Sequence, residues 1–319
     1  MTNPVYKKNR IRRFAALAAA AVIMLGMLSG CSRVQFAAAL GDDVLLTVDD
    51  EECTLAEAVF RLMEVKDRYE DEEDELFWER SVDGLTMDEY VKESVQEEMI
   101  RITAAVIMAD NLAVTISEDE LEEITEEAEE AYDELADGHD LSAYGITLES
   151  VISLYTKLEL YNKVYDELTA DAESLISEAD TKAIEVNYVE IPLEDGEDAA
   201  EALRQEIKGG TDFGTACTSA GYEAVLEQVL TKGSMPDEFE NVAYDLTDGE
   251  LSEVIETEDC YYLIECVEDY LISESVANNN QIVADARQEA FNEAYTEFSS
   301  GAALRFNENV WEEISVRDI

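Results

Sequence analysis

The sequence predicts an α+β chain in which a mainly helical body is interrupted by a β-rich module. Three observations carry this. Only three prolines, Pro4, Pro192 and Pro236, occur in 319 residues, so few helices are broken. Between Thr54 and Ser177, apolar residues recur at helical spacing. At Ala183 the period drops to two, in a stretch rich in β-branched and aromatic residues, and helical spacing returns near Asn278. Hydrophobic residues make up 47% of the chain, enough for a packed core despite 77 acidic against 21 basic side chains.

Residues 1–30 differ from all that follow. Lys7, Lys8, Arg10, Arg12 and Arg13 form a basic head, and Phe14 to Leu28 is uncharged and apolar. This is the layout of a secretory signal, and the apolar run is short of the roughly 20 residues a spanning helix needs. Leu28-Ser29-Gly30-Cys31 resembles the lipobox of bacterial lipoproteins. That resemblance implies cleavage before Cys31, a lipid on its thiol and an extracytoplasmic, membrane-anchored location. Removing residues 1–30 takes away five basic and no acidic side chains, leaving 16 against 77, a formal charge of −61. Such a body is repelled by nucleic acid and by anionic lipid, so neither is an expected partner of the protein surface itself. The acidity reads either as solubility or as long-range attraction for basic, unfolded polypeptides.

Residues 31–43 read as a tether and 44–182 as a helical domain. Val44 to Val48 is a strand, and Thr54 opens a helix with Leu55, Val59, Leu62, Met63 and Val65 on its apolar face. Thr86-Met87-Asp88-Glu89 and Ser117-Glu118-Asp119-Glu120 are capping boxes, predicting helices to about Asp110 and Leu135. Thr147 opens another helix, and Ser177 a short one. Met63, Met87, Met99 and Met108 fall in this region, as core filler or as an adaptable apolar groove. His139 lies in a loop with no evident nucleophile or metal partner. Cys53, Cys217, Cys260 and Cys266 match no disulfide framework or zinc spacing and read as buried thiols, with a bridge among them as the alternative.

Residues 183–270 form the β-rich module. It begins with the strand "AIEVNYVEI", followed by a helix over Ala199 to Lys208 that stops at Gly209-Gly210, and it ends with the strand "YYLIECV". Residues 271–319 return to a long helix over Asn278 to Phe298, a strand near Leu304 to Phe306 and a turn near Trp311.

Four pieces of the module, in order, resemble a parvulin-type peptidyl-prolyl isomerase domain. They are "EVNYVEI", "AEALRQEIKGGTDFGTACTSAG", "GSMPDEFENVAYDL" and "DGELSEVIETEDCYYLIECVE". The flanks and the lipobox resemble PrsA-like foldases and SurA-type chaperones. The resemblance implies a helical SurA-N-like chaperone domain, split in sequence and completed by 271–319, around an inserted parvulin-like domain with a four-stranded antiparallel sheet. It implies unfolded secreted proteins as partners and no cofactor, and it leaves a homodimer open. It also implies that Met235 and Phe239 line a proline pocket, with ordinary domain packing as the alternative for both. Where the family has two histidines, this chain has Tyr188 and Tyr262, and where it has an Asp or Cys the nearest acid is Glu227. These three are therefore the candidate catalytic residues, with isomerase activity expected to be weak or lost. The alternatives are an active isomerase using those side chains, ordinary inward-facing strand residues, or a solute- or ion-binding lipoprotein; no EF-hand spacing supports the last.

Overall fold

The computed structural model describes residues 35–36, 40–41, 43–72, 77–82 and 84–319. The signal segment and Cys31 lie outside these. The chain divides into two units: one is Ala170–Ala290, and the other takes in the chain up to Thr169 together with Phe291–Ile319. Ten strands occur among the described residues: β1 (Gln35–Phe36), β2 (Val44–Val48), β3 (Glu51–Thr54), β4 (Ser81–Val82), β5 (Leu85–Thr86), β6 (Ala183–Pro192), β7 (Ala224–Thr231), β8 (Ile255–Glu256), β9 (Cys260–Glu268) and β10 (Leu304–Phe306).

The first unit is mostly helical. Its helices are Leu55–Glu72, Met87–Leu112, Glu118–Ala136 and Leu148–Thr169. A small sheet of order β1-β10-β2-β3 joins the two ends of the unit's sequence, with Phe306 paired to Leu46. The core is built from Leu45, Leu46, Phe60, Leu62, Met63, Met99, Ile102, Leu154 and Phe291, all fully buried. All four methionines of this region are buried in that core, so they fill it and do not line an open groove.

Both capping boxes form. The Thr86 hydroxyl accepts the Glu89 N–H at 3.3 Å, and the Glu89 carboxylate accepts the Thr86 N–H at 2.8 Å. Ser117 and Glu120 repeat this, and Lys163 adds a 2.7 Å bond to the Glu120 carboxylate. A third box, Thr54 with Glu57, starts the first helix. Glu57 is buried, and its charge is met by Lys157 at 3.0 Å and a hydroxyl bond from Ser153 at 2.7 Å. His139 is not isolated in its loop: its Nε2 lies 2.9 Å from an Asp67 carboxylate oxygen.

Glu120 yields a pH prediction. The bond from Lys163, then those from the Ser117 backbone and hydroxyl, hold its carboxyl at about 2, below the ordinary 4.5. A carboxyl depressed in the folded state stabilises it above the unfolded value, and that contribution is lost as pH falls from about 4.5 toward 2. Glu120→Gln is expected to flatten the acid-unfolding curve in that window and to leave its neutral-pH shape unchanged, as read by circular dichroism.

The second unit holds an antiparallel sheet of order β7-β6-β9-β8. Alternation along β6 sends Ile184, Val186 and Tyr188 to one face, and Val189 and Ile191 to the other. The second face is covered by helices Glu197–Lys208 and Phe213–Ala220 through Leu203, Ile207, Phe213 and Cys217. The first face packs on the short helix Asp237–Ala243 through Phe239 and Ala243. Cys53, Cys217, Cys260 and Cys266 are free and buried.

Two departures from the sequence reading stand out. The last long helix is Ile272–Ser299, starting six residues earlier than the apolar period indicates. Its first turns turn Ile272 and Val276 to solvent, at 71% and 56% exposure, so no buried apolar face marks the start. The β7 strand was also not evident. It is an edge strand whose middle residues are exposed, and its alternation is interrupted.

Candidate functional site

The site lies on the first face of the second unit's sheet. Tyr188 of β6 and Tyr262 of β9 come side by side because β6 and β9 pair with Tyr188 opposite Ile264 and Glu190 opposite Tyr262. Their ring centroids are 6.2 Å apart. Beneath them, the helix Asp237–Ala243 inserts Phe239, whose ring meets Tyr188 edge-on at 5.4 Å and Tyr262 edge-on at 5.0 Å. Edge-to-face contact sets the positive edge of one ring against the negative face of the next, which fixes the orientation of all three. Pro236 precedes this helix, and Met235 packs partly buried on the same cluster. The Met235 N–H is held by the Glu240 carboxylate at 3.0 Å.

Burial differs across the trio. Phe239 is fully buried and Tyr262 is 7% exposed, whereas Tyr188 is only partly covered. Both phenols touch Phe239, and none of its surface is open. The Tyr262 hydroxyl donates to Glu190 at 3.3 Å. Burial, then the Cys260 thiol and the Glu190 carboxylate, push the Tyr262 phenol above its usual range. Burial and the Glu190 charge raise Tyr188 as well. Both are therefore neutral phenols at physiological pH, able to donate and accept hydrogen bonds but unsuited to take up a proton as an imidazole does.

Glu227 is not part of this group. It sits on β7 at a bulge, where Val186 pairs with Gln228 but Tyr188 pairs with Val225, leaving two residues opposite Asn187. Its φ is +52°, and its N–H is accepted by the Asn187 side chain at 2.8 Å. Asn187 alternates away from the face of Tyr188 and is itself held by Glu265 at 2.8 Å. Thus the structure brings Tyr188, Tyr262, Met235 and Phe239 together, and places Glu227 at an exposed sheet edge. Glu190 and Cys260 belong to the site and were missed. Each lies two residues from a candidate tyrosine on the same strand, so strand alternation would have found them. Among the described residues, no group of three or more His, Cys, Asp or Glu side chains is arranged to hold a metal ion.

Comparison with known proteins agrees with this architecture. Residues 192–268 match the family described as the PPIC-type PPIASE domain, or rotamase. The chain is 26% identical over 200 residues to a foldase protein PrsA of Oceanobacillus iheyensis, covering 58% of this chain and 65% of that protein's length. It is 24% identical over 267 residues to a PrsA of Caldanaerobacter subterraneus, covering 80% of this chain and 82% of that one. Among solved structures, a PrsA from Bacillus cereus aligns at 19% identity with a TM-score of 0.33, covering 67% of this chain and 81% of that chain. Residues 192–268 thus match the PPIC-type PPIase domain, in an α+β chain that is similar to the PrsA foldases.

Proposed function

We propose that the chain is an extracytoplasmic folding factor, anchored by a lipid on Cys31, that binds unfolded secreted proteins and carries a parvulin domain with little or no isomerase activity. The domain match and the similarity to PrsA foldases support the foldase part. The loss of catalysis rests on one observation, the enclosure of Phe239 under Tyr188 and Tyr262. An isomerase must hold a twisted prolyl amide against a barrier of about 18–20 kcal/mol. It does so by binding the transition state better than the ground state, with an apolar grip on the proline ring and a polar network at the amide. Here the apolar floor is covered by the chain's own rings, and the polar groups are two neutral phenols.

Two assays on the full chain test this. A proline-containing peptide is expected to isomerise at close to its uncatalysed rate, while aggregation of an unfolded client is suppressed. Tyr188→Phe is expected to leave that suppression nearly unchanged. Turnover near that of ordinary parvulins defeats the proposal in favour of an active isomerase. The anchor is tested separately. Cys31→Ala is expected to move the protein from the membrane fraction of the producing cell to the soluble fraction, because two acyl chains hold a protein stably where none does. Among the described residues, no helix is long and apolar enough to cross a membrane.

A further inference from the structure

Glu190 is an exposed carboxylate beside two aromatic rings, with no basic side chain paired to it among the described residues. Strand alternation puts it on the face of Tyr188, and cross-strand pairing puts it directly opposite Tyr262. The second unit has 31 acidic and 5 basic side chains. Four of the basic ones are engaged elsewhere. Arg204 pairs with Glu201 and Glu253, and Lys208 approaches Glu253. Lys182 donates to the Tyr244 carbonyl, and Lys232 lies over the Tyr244 ring. Among the described residues, no Lys or Arg forms an ion pair with Glu190.

We propose that Glu190, together with Tyr188 and the Tyr262 hydroxyl, receives a cationic side chain, lysine or arginine, of a bound polypeptide. This rests on the foldase reading and specifies its ligand chemistry. Tyr188 is only partly buried, and an aromatic ring attracts a cation to its negative face. The Tyr262 hydroxyl donates to Glu190, and a phenol oxygen that donates in this way can also accept from an ammonium or guanidinium. Phe239 locks both rings, so the oxygens and the ring face are in place before a ligand arrives. A divalent metal is a poorer fit, since Glu190 lacks further carboxylate, imidazole or thiolate groups in a coordinating arrangement among the described residues.

The test uses the full chain and two fluorescent extended peptides, identical except that one carries lysine where the other carries norleucine. Binding is read by anisotropy. The lysine peptide is expected to bind about 3–10-fold more tightly, the size of a cation–aromatic contact aided by one carboxylate. Glu190→Gln is expected to abolish that preference, so that the lysine and norleucine peptides bind alike. Glu206→Gln, an exposed carboxylate on the helix covering the opposite sheet face, is expected to keep the preference. This control separates a local site from the general attraction of an acidic surface. Equal binding of the two peptides by the unaltered chain, or a lysine preference that survives Glu190→Gln, overturns the proposal and leaves the foldase reading standing. Absence of any peptide binding also overturns it, and client aggregation then decides separately whether the foldase reading holds.

Discussion

Replacing Arg61 with alanine is expected to destabilise the helical unit by about 3–5 kcal/mol, the cost of stranding a buried charge. Arg61 is 5% exposed, and its guanidinium makes a two-point contact with Glu98 and a further bond to Glu64. Glu64 in turn accepts the Tyr155 hydroxyl at 2.6 Å. Burial alone disfavours the Arg61 charge, but Glu98 and Glu64 outweigh it and raise its affinity for the proton. Removing the arginine leaves Glu98 in a site with little water. The double change Arg61→Met with Glu98→Leu is expected to cost much less, because it removes both charges and keeps apolar volume. Denaturant unfolding followed by tryptophan fluorescence makes the comparison. Trp78 and Trp311 are the chain's two tryptophans, and both lie in this unit. A single variant no less stable than the double variant contradicts the prediction.

Phe239→Ala is expected to cost the second unit about 3–5 kcal/mol, the range for emptying a fully buried aromatic site. The loss has two parts. Apolar area is returned to water, and both tyrosine rings lose the edge that holds them. Hydrogen exchange reads this locally: amides of β6 and β9 are expected to lose protection by on the order of a hundredfold or more. Phe239→Leu keeps most of the volume and is expected to lose much less. Equal protection in the alanine variant and the unaltered chain would show that the ring is not part of the unit's core.

These two residues show what the sequence made legible. Phe239 was identified by its place in an ordered set of family-like pieces, and the structure puts it in contact with both candidate tyrosines. Capping boxes were readable because they are local: Thr86 with Glu89 and Ser117 with Glu120 need only four residues and one turn of helix. Strands with unbroken alternation, such as β6 and β9, were readable for the same reason. Arg61 was not, because its partner Glu98 is 37 residues away on another helix, and no short pattern encodes that meeting. Nor was β7. Its bulge breaks the two-residue period, and Glu227 was a candidate only as the acid nearest the place where the family has an Asp or Cys. In the structure the same bulge holds it at the sheet edge. Glu190 was legible in principle, since it lies two residues from Tyr188 on the same strand face.

The kink at Glu227 has a consequence for crowding. Flat, open edges let one molecule's sheet continue into the next, the first step toward fibrous aggregates. Here the open side of β7 presents a twist and a carboxylate where a neighbouring copy would need a straight ladder. Copies of the chain at high local concentration are thereby discouraged from polymerising with one another through this border.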